Sequence, residues 1–222
     1  MHTVCMHVYP SRALNLHSDP PDRDAMNDIK AAQALETRRK LERVARKLFA
    51  ERGFADVSAE EIVAKADLTR GALYHHYDGK EGLFEAIVDK LMQEVHAKLE
   101  KGASGAADPL QAVEDGIRVF LKVCTEPSTQ RILLIDAPAI LGWPKWREMD
   151  AKYGFGLLKR ALVGAMQVSL IRKQNVDLLA HILFGALTEA AMVVVRSNDP
   201  VKARAEAERA LASMLAGWRI PK

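Results

Sequence analysis

The chain has 222 residues, 49% of them apolar and 27% charged, enough for one ordinary globular domain or a small domain joined to a larger one. A net charge of +3 does not announce a nucleic-acid partner, and two cysteines, Cys5 and Cys124, form neither a disulfide framework nor a zinc pattern. The longest apolar runs, 178–187 and 190–195, are interrupted by His181, Thr188 and Glu189 and are expected to be too short to span a bilayer.

Residues 1–33, with Pro10, Pro20, Pro21 and no sustained period, are expected to form a disordered or loosely structured tail, in which Met26 is a candidate initiator. Residues 1–16 carry no apolar stretch next to a basic start, so no secretory signal is expected. From Glu36 the sequence reads as helix. Leu41, Val44, Ala45, Leu48 and Phe49 make one apolar stripe, ending at Gly53 as a left-handed cap. Opposite it, Arg38, Arg39, Lys40, Arg43, Arg46, Lys47 and Arg52 stand against only Glu42 and Glu51. Such a basic stripe reads as a phosphate-facing surface or as a solvated helix face.

Ser58-Ala59-Glu60-Glu61 is a capping box that opens a short second helix with Ile62, Val63 and Ala66 inward. Asp67-Leu68 makes a turn, Thr69 caps a third helix, and Asp78-Gly79 ends it. Two short helices separated by three or four residues make a helix-turn-helix, whose second member lies in the major groove of DNA. Arg70 suits a guanine edge and Ala72 a thymine methyl, while Gly71 allows close backbone approach. Tyr74 suits a phosphate or the core, Lys80 a phosphate or a cap-region charge, and His75 and His76 read as contacts or as solvated helix residues.

The segment 37–94 resembles the DNA-binding domain of the TetR family. The resemblance rests on Ala50-Glu51-Arg52-Gly53-Phe54, on the Ser58 cap with Ile62 and Ala66, and above all on the string from Arg70 to Phe84 (RGALYHHYDGKEGLF). It implies phosphate contacts from Thr37, Tyr74, His76 and Lys80, and groove contacts from Thr69, Arg70, Ala72 and His75. Tyr77 departs from the more usual Phe, and Asp67-Leu68 from a commoner Gly-Val.

A helix is predicted from about Lys80 to Lys101, and another from Pro109, capped by Asp108, to about Cys124. Further helices are predicted from Glu126 to Pro138, from Lys145 to Leu170, from Asn175 to Ser197 and from Pro200 to Trp218. No segment alternates like a strand, so the fold class is all-α. An N-terminal three-helix DNA-binding domain (34–82) is expected to precede a larger helical ligand-binding and dimerisation domain (83–222). Within the latter, Ile132 to Trp143 resembles one subgroup of TetR C-terminal domains.

The resemblance also implies a homodimer in which the last two helices pair with their copies. The all-round apolar character of 178–195 supports this independently; Leu179, Leu183, Ala186, Leu187, Ala190, Val194, Leu211 and Leu215 are the expected interface. A pocket for an unknown small-molecule effector is expected among Phe120, Cys124, Leu133, Asp136, Trp143, Trp146, Met149, Tyr153, Leu157 and Met166. Asp136 reads either as a ligand contact or as a charge paired to Arg131, Lys145 or Arg147. The two Trp read as binding platforms or as core, and Cys124 as a redox sensor or inert core. No HExxH, nucleophile elbow or Gly-rich phosphate loop is present. The expectation is a non-enzymatic, cytoplasmic repressor of a palindromic double-stranded DNA operator, released by its effector, or alternatively a DNA-binding regulator that responds to a protein partner or activates without an inducer, with no cofactor, metal or membrane.

Overall fold

The structure, a computed structural model, describes residues 23–221, with side chains from Met26 onward. The chain divides into two units, Met1–Glu36 and Thr37–Lys222. Helix α1 runs from Arg23 to Arg52, so residues 23–33, expected in the tail, are helical. The reason is local: after Pro21 no proline or glycine intervenes before Gly53, and Ala31, Ala32, Gln33, Ala34 and Leu35 are strong helix formers. The rest of the expected tail lies outside the described residues.

Helix α2 (Ala59–Lys65) is capped by Ser58, whose Oγ accepts the Glu61 N–H at 3.0 Å. Helix α3 (Arg70–Tyr77) is capped by Thr69, whose Oγ1 accepts the Ala72 N–H at 3.2 Å. In the turn between them Asp67 holds φ 54°, a left-handed geometry that aspartate tolerates better than most residues do, which accounts for its standing where the family more often has glycine. Helix α4 (Lys80–Ala103) starts immediately after Asp78 (φ 56°) and Gly79 (φ 100°). At Gly82 a Cβ would lie 1.6 Å from the Tyr77 carbonyl oxygen, so glycine there permits α4 to cross α3 this closely.

Helix α5 (Pro109–Val123) has its first N–H groups held by Asp108, whose Oδ1 accepts from Leu110 and Gln111 at 2.8 Å each. The next two predicted helices are not uniform. A π-helical segment, Thr129–Asp136, leads into α6 (Ala137–Leu141), and Gly142 turns the chain into α7 (Trp143–Asp150). A second π-helical segment, Ala151–Phe155, then joins α7 to α8 (Gly156–Gln167). Helices α9 (Val176–Arg196) and α10 (Pro200–Ala216) are capped by Asn175 and Asp199. Among the described residues the one departure from helix and loop is an isolated bridge between Ile171 and Arg219.

Two cores organise these helices. The first is centred on Phe49, Phe54 and Phe84, with ring centroids 4.8–5.6 Å apart, and it extends through Ile87 and Leu91 to Ile132, Leu133, Ala137 and Trp146. Packing therefore runs straight across the expected boundary at residues 82 and 83. The second core gathers Leu110, Ile117, Leu121, Leu162, Leu183, Ala191, Leu211 and Leu215.

Helix α9 runs unbroken through Thr188 and Glu189, as predicted, but contrary to the expectation of runs too short to span a bilayer it is by length and composition apolar enough to cross a membrane. One face of it, Leu179, Ala180, Leu183, Ala191 and Val195, is packed into the second core, as in the core helix of a globular domain.

Candidate nucleic-acid interface and ligand cavity

Helix α3 presents a polar face. Thr69, Arg70, Gly71, Tyr74 and His75 are exposed, Ala72 and His76 are half-buried, and Leu73 and Tyr77 point into the first core. Gly71 has only the Thr69 Oγ1, at 3.7 Å, near the position of an added Cβ. Arg70 pairs with Glu60 at 2.9 Å, donates to the Tyr74 hydroxyl at 3.2 Å and lies over its ring. That ion pair is exposed on both sides and therefore weak. Burial, with the charges of His75 and Arg38 nearby, holds the His76 imidazole below its ordinary range, leaving it a neutral N–H donor at neutral pH.

Tyr77 explains its own departure from phenylalanine. Its hydroxyl donates to Glu42 Oε1 at 2.7 Å and accepts from Arg38 Nε at 3.3 Å, while Lys90 donates to Glu42 Oε2 at 2.8 Å. One carboxylate thus ties α1, α3 and α4 together. Burial, reinforced by Glu42, pushes the Tyr77 phenol up to about 12. For Glu42, burial pushes the other way, but the hydrogen bonds from Lys90 and Tyr77 outweigh it and hold the carboxyl below its usual range.

Lys80 is not placed as expected. Its ammonium donates to the carbonyls of Phe54 (3.1 Å) and Val57 (2.9 Å) and sits over the Phe54 ring, so it closes the loop before α2. Most of the basic stripe on α1 is also engaged within the protein. Arg46 forks onto Glu94 at 2.7 and 2.9 Å, Arg52 holds Glu61 and the Asp56 carbonyl, and Lys47 lies near Glu51. Among the described residues Arg39, Lys40 and Arg43 have no such ion pair. Thr37, half-buried on α1, engages neighbouring groups.

A cavity of about 420 Å³ opens between α4, α5, the two π-helical segments, α8 and α9. Of the expected lining, Phe120, Cys124, Leu133, Trp146, Tyr153 and Leu157 are there. Four expected residues are elsewhere. Trp143 is 60% exposed, Met149 packs against the first core, and Met166 is buried in the second. Asp136 accepts the Phe54 N–H at 2.8 Å and lies 3.4 Å from Arg131 Nε, so it takes the paired role, bracing the loop that precedes α2. Trp146 is fixed by its Nε1–H, which donates to the Leu133 carbonyl at 2.9 Å. Burial pushes the Cys124 thiol far up, with Asp150 and Glu126 adding to it, which is the condition of an inert core thiol.

Sequence reasoning missed the acid that does line the cavity, Asp150. Burial pushes its carboxyl up to about 6, partly offset by Arg147 at 3.8 Å. It also missed His96, Thr129 and Thr188. Periodicity alone could have placed His96 on the inner side of α4, one position from Val95; Thr129 and Asp150 stand in or beside the π-helical segments, and Thr188 depends on which arc of α9 is packed.

The expected dimer residues divide. Leu179, Leu183, Val194, Leu211 and Leu215 are at most 5% exposed, with nothing to offer a second copy, whereas Ala186, Leu187 and Ala190 are partly open. The exposed apolar positions of the last two helices are Leu178 (59%), Ile182 (51%), Val193 (57%) and Val201 (71%).

Comparison with known proteins places both ends of the chain. Residues 43–87 match the family described as bacterial regulatory proteins, tetR family, and residues 110–218 match the tetracyclin repressor-like C-terminal domain. A solved TetR-family transcriptional regulator from Pectobacterium atrosepticum is 33% identical with a TM-score of 0.75, over 86% of this chain and 97% of its own. The transposon Tn10 TetC protein of Escherichia coli is 26% identical over 141 residues, 64% of this chain and 71% of that protein. Other curated relatives are matched over about half their length, 45% and 49%. The structure of RolR in complex with resorcinol shares the fold at 20% identity, with a TM-score of 0.62 over 86% of this chain and 98% of its own. With its helix-turn-helix exposed and both domains matched, the chain belongs to the TetR family of DNA-binding transcriptional regulators.

Proposed function

We propose that this protein is a cytoplasmic repressor that binds a palindromic operator as a homodimer and is released by a small apolar effector in its C-terminal cavity. The observation that carries this reading is the sharing of α4. Its middle residues Met92, Val95, His96 and Leu99 line the cavity, and its first residue, Lys80, stands three positions after the end of α3. A second link supports it. The first π-helical segment lines the cavity with Thr129, Leu133 and Leu134, while its last residue, Asp136, holds the Phe54 N–H ahead of α2. An effector that fits one arrangement of these walls better than another shifts the recognition helices with them. A small aromatic bound by a structural neighbour of this fold agrees with a cavity of this kind.

On DNA, Thr69, Arg70, Ala72 and His75 read base edges, with Arg70 exchanging Glu60 for a guanine; Thr37, Tyr74 and His76 hold phosphates, and Gly71 lets the backbone approach. The dimer forms through the exposed stripe of α9 and α10, Leu178, Ile182, Val193 and Val201, with Ala186 and Ala190 beside it, and not through the buried leucines. Two-fold symmetry then sets the recognition helices roughly 34–36 Å apart, or a multiple of that distance.

Footprinting on genomic fragments is expected to reveal a discrete palindrome, and an effector that quenches Trp146 is expected to weaken binding to it. Occupancy of the cavity without loss of operator affinity overturns ligand release, and uniform protection of any duplex overturns specific repression. In sedimentation, Ile182→Arg is expected to yield monomers; a wild-type monomer overturns the dimer.

A further inference from the structure

The polar groups on the cavity wall are few: His96, Thr129, Asp150, Tyr153, Arg160 and Thr188. Three are already satisfied or hydrated. The Tyr153 hydroxyl donates to Asp89 Oδ1 at 2.6 Å, Thr188 Oγ1 donates to the Phe184 carbonyl at 2.9 Å, and Arg160 is exposed to solvent.

Asp150 differs from all of these. Its carboxylate accepts no hydrogen bond among the described residues. The nearest cation, Arg147, stays 3.8 Å away, beyond hydrogen-bonding distance, and its guanidinium lies over the Phe184 and Trp143 rings, 5.0 and 5.8 Å from their centroids. Elsewhere the wall is Leu, Val, Phe and Met, which offer a carboxylate nothing. The Asp150 side chain keeps 20% of its surface, and as part of the cavity wall it is an acceptor that a ligand's donor can reach without displacing a protein partner.

We propose that the cavity is built for an apolar molecule carrying one hydrogen-bond-donor head, an amine or a hydroxyl and not a carboxylate, which it presents to Asp150. The inference rests on the reading of this cavity as the effector site. The donor head replaces the missing partner of Asp150, and the remainder fills the space between α4, α5 and α8. A second unsatisfied group lies in the same wall: His96 Nδ1 is shielded from solvent and has no hydrogen-bond partner among the described residues. It gives a hydroxyl-bearing ligand one more point of attachment. An anionic head meets the like charge of Asp150, and its alternative, Arg160, is hydrated and gains little from pairing.

The test uses one scaffold with three heads. Calorimetric titration of the full-length protein at neutral pH compares 4-phenylbenzylamine, 4-phenylphenol and biphenyl-4-carboxylate. The amine and the phenol are expected to bind at least about tenfold more tightly than the carboxylate, a difference of about 1.4 kcal/mol. Asp150→Asn is expected to cut the amine's advantage to less than about threefold. Equal or tighter binding of the carboxylate overturns the assignment, as does an unchanged ratio in Asp150→Asn; the wild-type ranking decides by itself if that variant does not fold.

A control separates this inference from the reading beneath it. Gly116 lines the cavity and has no atom within 4 Å of an added Cβ, so Gly116→Phe is expected to block all three probes. Binding that survives Gly116→Phe, or no binding of any probe to the wild-type protein, overturns the cavity itself as the effector site.

Discussion

The recognition end and the cavity end of this molecule treat their polar groups in opposite ways. Around α3, charged side chains are committed within the protein: Glu42 to Tyr77 and Lys90, Lys80 to two carbonyls, Arg46 to Glu94. Around the cavity, an acid lacks a donor and an imidazole nitrogen lacks a partner. The first arrangement fixes how α3 is held against α1 and α4. The second, on the proposed function, leaves part of the interaction for a ligand to supply. The contrast teaches that rigidity and unfinished packing can sit on one continuous core, since Leu133 and Trp146 belong both to the first core and to the cavity wall.

The comparison is broken most severely at Gly82. Gly82→Val sets a Cβ against the Tyr77 carbonyl and is expected to cost about 3 kcal/mol or more, read as a large drop in thermal midpoint with loss of DNA binding. A small effect would show that the α3–α4 crossing adjusts and that the recognition end is not rigid. Next in size, Arg70→Ala is expected to cost about 1–3 kcal/mol per half-site on the operator while sparing random DNA. Equal losses on both would remove Arg70 from the reading residues.

Asp150 sharpens the contrast from the other side. Its carboxyl is raised in the folded protein to about 6 from an ordinary 3.8, so ionisation is penalised by folding. Its contribution to stability is fully present below the unfolded value and is lost as pH rises through 6. Asp150→Asn is therefore expected to be nearly neutral at pH 4 and stabilising by up to about 3 kcal/mol at pH 8, by denaturant titration at each pH. An advantage that does not grow with pH would mean the carboxylate is already satisfied.

The smallest expected effect is at Lys80. Lys80→Met removes two carbonyl contacts and is expected to cost about 1–2 kcal/mol of stability, leaving the salt dependence of DNA binding unchanged. A flatter salt slope would restore Lys80 as a phosphate ligand.

Much of this was legible in the chain itself where the physics is local. Ser58, Thr69 and Asp108 each cap the helix they were expected to cap, because a cap is a bond between near neighbours in sequence, and Asn175 and Asp199 cap the two helices expected to start beside them. The exposed face of α3 followed from period and spacing. Residues 23–33 carry scattered charges that mask the helix-forming Ala31 and Ala32, and no apolar period marks their helix. The role of Asp136, an acid in an apolar stretch, could not be assigned because the Phe54 N–H that claims it lies 82 residues away, and Asp150 was hidden among the charges of Arg147, Glu148 and Lys152.

The sequence by itself determined the family, the helical class, the helix-turn-helix and the exposed face of its second helix, since these rest on helical period and on bonds within a few residues. Only the tertiary structure decided which arc of α9 is buried, which carboxylate faces the cavity and that Lys80 turns inward. Those outcomes depend on long-range partners: an apolar arc is indistinguishable from its opposite until something packs on it, and a charge takes the nearest desolvated partner wherever the chain brings it.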